Sequence, residues 1–347
     1  MVFSIVLLLL LAMSMLMNLG NLFSRSLATG KTRSGHTVGP KLEEMVTEDN
    51  SAVNKIAVLG IGGIITSRTI DSGGYSMVDV IKAQLKRAQE DERVKAVILK
   101  VDSPGGEVLA SDEISRLISK FQLDSKKPVV ASMGGLAASG GYYVSAPCRW
   151  IVAQDLTITG SIGVIMHSWN YRGLMNKVGV LPEVYKSGKF KDMMSGERNP
   201  EEITPEERAM IQSLIDETYQ KFKDVVQKGR DGANKANRGG AEKGQTLDSQ
   251  WSNYADGRVL SGTKAFELGF VDELGDFQKA VDRAKTIAGI SQANLVEFQQ
   301  HFDLSDLFRL FGESSKNRGS VVKVDLGMDM PKLQAGQLYF LSPNFMH

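Results

Sequence analysis

Apolar positions along this chain alternate between short continuous runs and runs at helical spacing, and the alternation predicts its elements. Lys55 to Thr66 and the Val/Ile-rich Val94 to Val101 read as strands, and Met77 to Gln89 and Val108 to Phe121 as helices. Pro128 to Ala131 and Arg149 to Ala153 continue the strands, a helix is expected from Ser139 to Ser145, and Pro147 stops it. Val164 to Met166 and Pro182 to Lys186 are shorter strand candidates, with an amphipathic piece at Tyr171 to Val178 between them. Pro205 to Lys228 has the strongest helical period, with acids early and lysines late, as the helix dipole favours. A polar, Gly-rich excursion at Asn234 to Asp248 precedes a compact turn and strand at Phe266 to Leu274 and a helix at Phe277 to Ile290. The segment after Val296 is irregular apart from a strand candidate at Gln337 to Leu341.

Strands followed by helices predict parallel β-α units and an α/β body over 53–293, between a polar linker at 20–52 and a tail at 294–347. The apolar run Val2 to Leu19, at about 1.5 Å per residue, is just long enough for a hydrocarbon core of about 30 Å and predicts a membrane helix. A cleaved signal peptide is the competing reading, but Ser26 to Ala28 comes late for a cleavage site. Arg25, Lys31, Arg33 and Lys41 follow the run, a bias that would place the body in the cytoplasm.

Two turns leave the same end of neighbouring predicted strands: Asp102-Ser103-Pro104-Gly105-Gly106 and Met133 to Gly141. In α/β sheets that is where sites form. In the second turn the side chains shrink to Gly, Ala and Ser, more than a core requires, so a backbone can approach something closely. Ser139 sits in its middle, where strand gives way to helix, and is a candidate nucleophile; a plain N-cap is the alternative. The backbone N–H groups of Gly106 and Gly140 could converge on one oxygen there. The glycines at Gly60 to Gly63 lack the helix that a dinucleotide phosphate loop needs directly after them.

Charge and cysteine content narrow the field. Forty-one basic and forty acidic residues suggest no nucleic-acid surface. Cys148, the one cysteine, gives no intrachain disulfide and no cysteine-based zinc site, and reads as a small buried thiol. A serine nucleophile needs a base, and the four histidines are poorly placed: His36 in the linker, His301 and His347 in the tail, His167 directly after an apolar strand. A lysine base remains. Lowering its pKa from about 10.4 to near 7 takes roughly 4–5 kcal/mol of desolvation and repulsion by nearby cations. Lys186, Lys189 and Lys191 share one Gly-containing loop, and spacing does not choose among them.

The run Ser132-Met133-Gly134-Gly135-x-Ala137-Ala138-Ser139-Gly140-Gly141-Tyr142-Tyr143, together with Asp102 to Gly106 and Thr159-Gly160-Ser161-Ile162-Gly163-Val164, resembles the signal peptide peptidase A family. Tyr185-Lys186-Ser187-Gly188-x-x-Lys191-Asp192, Gly257-Arg258-Val259-x-Ser261-Gly262 and Gly269-Phe270-Val271-Asp272 extend the resemblance over roughly Asn54 to Gly275, in the short, single-copy form of the family. It implies a Clp protease/crotonase-like fold behind an N-terminal transmembrane helix, a Ser/Lys membrane protease, and no cofactor. Residue by residue it implies Ser139 as nucleophile, Lys191 as general base, Ser161 as the serine that hydrogen-bonds the base, and Gly106 and Gly140 as oxyanion donors. It further implies a ring of identical subunits sharing sites across their interfaces, in a bacterial cell membrane with the catalytic domain on the extracytoplasmic side. Substrates would be released signal peptides and other unfolded apolar peptides, with Met133, Leu136, Val108 and Leu109 flanking the site. The lengthened tail and the charge bias after the first helix depart from the pattern. An inactive membrane scaffold of the same fold, or a crotonase-like acyl-CoA enzyme, are the alternatives; Ser139 and Lys191 speak against the first, the membrane helix and Ser/Lys pair against the second.

Overall fold

The computed structural model describes residues 39–69, 74–239, 243–300 and 337–341. The expected membrane helix at 2–19 lies outside them, and among the described residues no helix is long and apolar enough to cross a membrane.

The body is mixed α/β, as the alternation predicts. Its strands are β1 (Leu42–Glu48), β2 (Lys55–Ile65), β3 (Val94–Glu107), β4 (Val129–Ala138), β5 (Trp150–Ala153), β6 (Ile158–Gly160), β7 (Ile165–Met166), β8 (Val259–Ser261), β9 (Glu273–Leu274), β10 (Asn294–Gln300) and β11 (Leu338–Leu341). The helices are α1 (Met77–Glu90), α2 (Val108–Ser125), α3 (Gly140–Ser145), α4 (Arg172–Lys177), α5 (Pro205–Asn237), α6 (Gly262–Glu267) and α7 (Phe277–Ala288). The main sheet runs β1-β10-β2-β3-β4-β5-β9, parallel throughout except that β1 pairs antiparallel with β10.

Period-two alternation sends successive side chains of one strand into two cores. Ala57, Leu59, Val97 and Leu99 join the larger core, which also takes Ile81 and Leu85 of α1, Ile114 and Ile118 of α2 and Phe222 of α5. Ile56, Val58, Ala96 and Ile98 face the other way, onto Ala280, Val281 and Ala284 of α7. The sheet is therefore covered on both faces, which explains why its central strands read as unbroken apolar runs. Helix starts follow local chemistry: Ser76 with Asp79 and Thr204 with Glu207 form capping boxes at α1 and α5.

β3 and β4 run further than their apolar segments suggested. Beyond an irregularity between Val101 and Ser103 they stay paired, Ser103 opposite Ala137, with Gly105 and Gly106 still opposite Ile64 and Ile65 of β2, and their distal halves gain further partners. β6 lies parallel to Leu136–Ala138 of β4, and β11 lies antiparallel to Gly105–Glu107 of β3. Three sequence expectations change here. Residues 42–48, expected in the linker, form β1, and the first residues of the expected tail form β10; the strand expected at Gln337 to Leu341 is present as β11, and all three are joined to the sheet. Pro182 to Lys186 forms no strand: Val184 and Tyr185 are exposed and no sheet edge reaches them. The polar excursion begins later than expected, because α5 continues to Asn237. That extension carries Arg230, wholly buried, whose guanidinium meets the buried Asp272 carboxylate and also donates to the Ala146 and Cys148 carbonyls.

Candidate active site

Ser139 stands at the end of β4 and heads α3 with φ 54° and ψ −115°, a conformation that costs a non-glycine residue of order 1–3 kcal/mol. Two hydrogen bonds hold it there: its N–H donates to the Gly160 carbonyl at 2.8 Å, and its own carbonyl accepts from the Tyr143 N–H at 2.8 Å. It occupies the N-cap position yet makes no capping bond. Its Oγ is buried and has no hydrogen-bond partner among the described residues. A buried hydroxyl held in a strained turn without a partner is costly, which argues against a purely structural serine.

The two glycines proposed as oxyanion donors come together. A Cβ on Gly140 would stand 2.7 Å from Ser111 Oγ, 3.0 Å from Gly105 Cα and 3.1 Å from the Gly106 nitrogen, so side chains are excluded where the two turns meet. Gly105 itself has φ +106°, open only to glycine, and a Cβ on its neighbour Gly106 would stand 2.0 Å from the Ile65 carbonyl oxygen. Ser161 follows Gly160 at the end of β6, also at positive φ (49°), and its N–H donates to the Arg258 carbonyl at 2.7 Å. Ser139, Ser161, Gly106 and Gly140 thus lie on one framework: β4 pairs with β6 at Ala138 and Gly160, and Gly106 borders the space at Gly140 where a Cβ would stand.

Lys191 does not join them within one chain. It lies exposed on the excursion between β7 and α5 and makes no hydrogen bond to Ser139. Its two neighbours are occupied: Lys186 pairs with Asp192 at 2.7 Å and Lys189 with Glu206 at 2.6 Å, while Lys191 forms no ion pair among the described residues. The same excursion exposes Trp169, Leu174, Leu181 and Tyr185.

Sequence reasoning missed an aromatic pocket beside the serine. Tyr143 of α3 packs against Phe222 of α5 and stacks on Phe340 of β11, with centroids 4.9 Å and 4.7 Å away, and its hydroxyl donates to Asp112 at 2.8 Å. Burial and the Asp112 carboxylate both push the Tyr143 phenol pKa far up, so it stays protonated. Tyr143 was visible in the motif, but Phe222 looked like any core position of a helix. Of the expected flanking residues, Met133 belongs to the core instead, Leu136 and Val108 are half-buried, and Leu109 is exposed. Cys148 is buried as expected, and burial pushes its thiol up to about 12, which suits an inert side chain.

Two turns meet here at the ends of neighbouring parallel strands, with a strained serine beside the Gly106–Gly140 junction, and sequence comparison names the class. The family model described as Peptidase family S49 matches residues 121–291. A relative named signal peptide peptidase SppA in Enterococcus faecium is 36% identical over 265 residues, covering 75% of this chain and 71% of its own. A protease of Synechocystis is 40% identical over 240 residues, covering 69% and 76%. The chloroplastic serine protease SPPA of Arabidopsis thaliana is 31% identical over 268 residues, 75% of this chain but only 37% of that longer protein. The chain belongs to peptidase family S49 and is a peptidase of the signal peptide peptidase A kind.

Proposed function

We propose that this peptidase is a membrane-anchored serine endopeptidase with Ser139 as nucleophile and Lys191, supplied by a neighbouring copy, as general base. The observation that carries the reading is Ser139 itself: buried, strained, with no partner for its Oγ among the described residues, and adjoining the Gly106–Gly140 junction. The Oγ attacks a peptide carbonyl while the Lys191 amine takes its proton. The N–H groups of Gly106 and Gly140 hold the tetrahedral oxyanion, and the proton then passes to the leaving amine. Water enters the acyl-enzyme by the same route in reverse, and Ser161 orients the lysine. No cofactor takes part.

A shared site accounts for two observations at once. Among the described residues of its own chain no base reaches Ser139 Oγ, while the excursion that carries Lys191, unpaired among those residues, exposes large apolar side chains suited to burial against a second copy. Repeating that head-to-tail contact closes a ring. The segment 2–19 anchors the protein in a bacterial membrane with the catalytic body outside the cytoplasm. The substrates are unfolded apolar peptides, released signal peptides among them, consistent with the name of the Enterococcus relative.

The test is complementation. Ser139→Ala and Lys191→Ala chains, each inactive alone, are co-expressed so that subunits mix. Peptide hydrolysis should return wherever an intact Ser139 faces an intact Lys191. Mixed assemblies with no activity would show that the dyad is not shared between chains.

A further inference from the structure

From Gly163 to Glu206 no residue is buried, so the excursion that carries Lys191 has no apolar core of its own. Its shape rests on polar contacts. Some of them tie the excursion only to itself: the Tyr171 N–H donates to the Gly196 carbonyl at 2.9 Å, and the Asn170 side chain to the Arg198 carbonyl at 2.9 Å. The Lys189–Glu206 pair does reach α5, but its side chains are 66% and 58% exposed, and a pair so open to water and salt holds little.

A second set of charges is shielded and reaches the body. Asp192, directly after Lys191, accepts from Lys186 Nζ at 2.7 and 2.8 Å and lies 3.6 Å from Arg198 Nη1. The Arg198 guanidinium bonds the Glu207 carboxylate and, at 2.6 Å, the Glu202 carbonyl. Side-chain exposure is 13% at Asp192, 12% at Arg198 and 2% at Glu207. Glu207 is the first buried residue after Ile162 and closes the capping box of α5, a helix fixed in the larger core by Phe222 and Val226. Lys186 ties Asp192 to the same excursion; Arg198 ties it to the body. The planar fork of an arginine serves several acceptors at once, which the point charge of a lysine cannot do.

We propose that Arg198 is a positioning residue for Lys191, an inference that rests on Lys191 acting as general base as described above. Arg198 moors Asp192 to Glu207. The turn around Lys191 is closed by main-chain bonds from Lys191 to Gly188 at 3.2 Å and from Ser195 to Asp192 at 3.0 Å, so the place of Asp192 sets the place of Lys191. Arg198 touches neither substrate nor the reacting atoms. It fixes where the amine is delivered to the serine of the neighbouring copy, and a displacement of about 1 Å at a reacting group can cost on the order of 10²-fold in rate.

The experiment measures kcat and KM for an apolar quenched fluorescent peptide on the full, detergent-purified chain and its variants. Arg198→Met should lower kcat about 10–10²-fold with KM little changed. Arg198→Lys should restore part of that loss, since the charge returns without the fork. Asp192→Asn combined with Arg198→Met should cost no more than Arg198→Met alone, because both break one chain of contacts. Mixed assemblies of Ser139→Ala and Lys191→Ala chains then locate the effect. Arg198→Met added to the Ser139→Ala chain, which supplies the working Lys191, should remove most of the recovered activity; added to the Lys191→Ala chain, it should leave most of it. Equal losses from either chain would assign Arg198 to general stability and overturn the proposal, as would a wild-type kcat in Arg198→Met. If Lys191→Ala alone keeps wild-type activity, the lysine base falls and the proposal with it. If Lys191→Ala is inactive but no mixture recovers activity, only the shared site falls, and the kcat of Arg198→Met decides.

Discussion

The Ser139 amide donates to the Gly160 carbonyl at 2.8 Å, so the turn bearing the nucleophile and the turn bearing Ser161 form one hydrogen-bonded unit. The contact is main chain to main chain. Side-chain changes at Ser139 can therefore alter chemistry without dismantling the framework.

Ser139→Ala should lower peptide hydrolysis by about 10³-fold or more, with the fold intact, because the removed hydroxyl has no hydrogen-bond partner among the described residues. Ser139→Gly should be equally inactive yet more stable than Ser139→Ala, since only glycine adopts φ 54°, ψ −115° without strain; a difference of about 1 kcal/mol is expected. Thermal unfolding and a peptide assay on both variants check this, and equal melting temperatures would remove the case for strain at this serine.

Lys191→Ala should abolish hydrolysis, whereas Lys186→Ala and Lys189→Ala should keep most of it, because those two amines are held by Asp192 and Glu206. With a lysine base, kcat/KM should climb between pH 6 and 9 as the amine loses its proton. A flat profile over that range counts against a lysine.

Arg230→Met should destabilise the body by about 3–5 kcal/mol, since it strands the wholly buried Asp272 carboxylate without its cation. The Arg230 guanidinium also holds the Ala146 and Cys148 carbonyls, just past α3, so the loss should loosen the serine turn as well. Denaturant unfolding measures the first effect and hydrogen exchange of residues 139–148 the second. An unchanged unfolding midpoint would contradict it.

Glu207 accepts from Arg198 and from the Thr204 N–H at the start of α5, and these partners hold its carboxyl at about 2, below the ordinary 4.5. The folded pKa is the lower one, so the contribution is present above the unfolded pKa and is lost as pH falls from about 4.5 towards about 2. Glu207→Gln should thus be less stable than wild type at pH 7, with the gap closing across that window. A gap independent of pH would assign the effect to the helix cap alone.

The main strands, the helices on both faces and the serine turn were legible because their signals are local: unbroken apolar runs, helical spacing, and side chains shrinking around Ser139. β1 and β10 were not, because each is half polar and gains its meaning only by pairing with a segment some 250 residues away, Leu42 opposite Gln300. Pro182 to Lys186 failed in the opposite sense, since its alternation met no sheet edge. The shared motifs singled out Lys191, but its place opposite a serine is a relation between chains that no single sequence expresses. Phe340 was seen only as part of a strand; nothing local relates it to Tyr143 and Phe222.

The β1–β10 pair sets the smallest piece of this protein that should behave well by itself. A fragment begun at residue 53, where the apolar pattern starts, would strip β10 of its outer neighbour and offer Asn294–Gln300 as a bare ribbon of unpaired amides and carbonyls. Leu42, packed against the larger core, would go with it. Copies of such a fragment would meet edge to edge and precipitate, whereas one begun at residue 39 ends on β1, an edge that carries Glu43, Glu44 and Glu48.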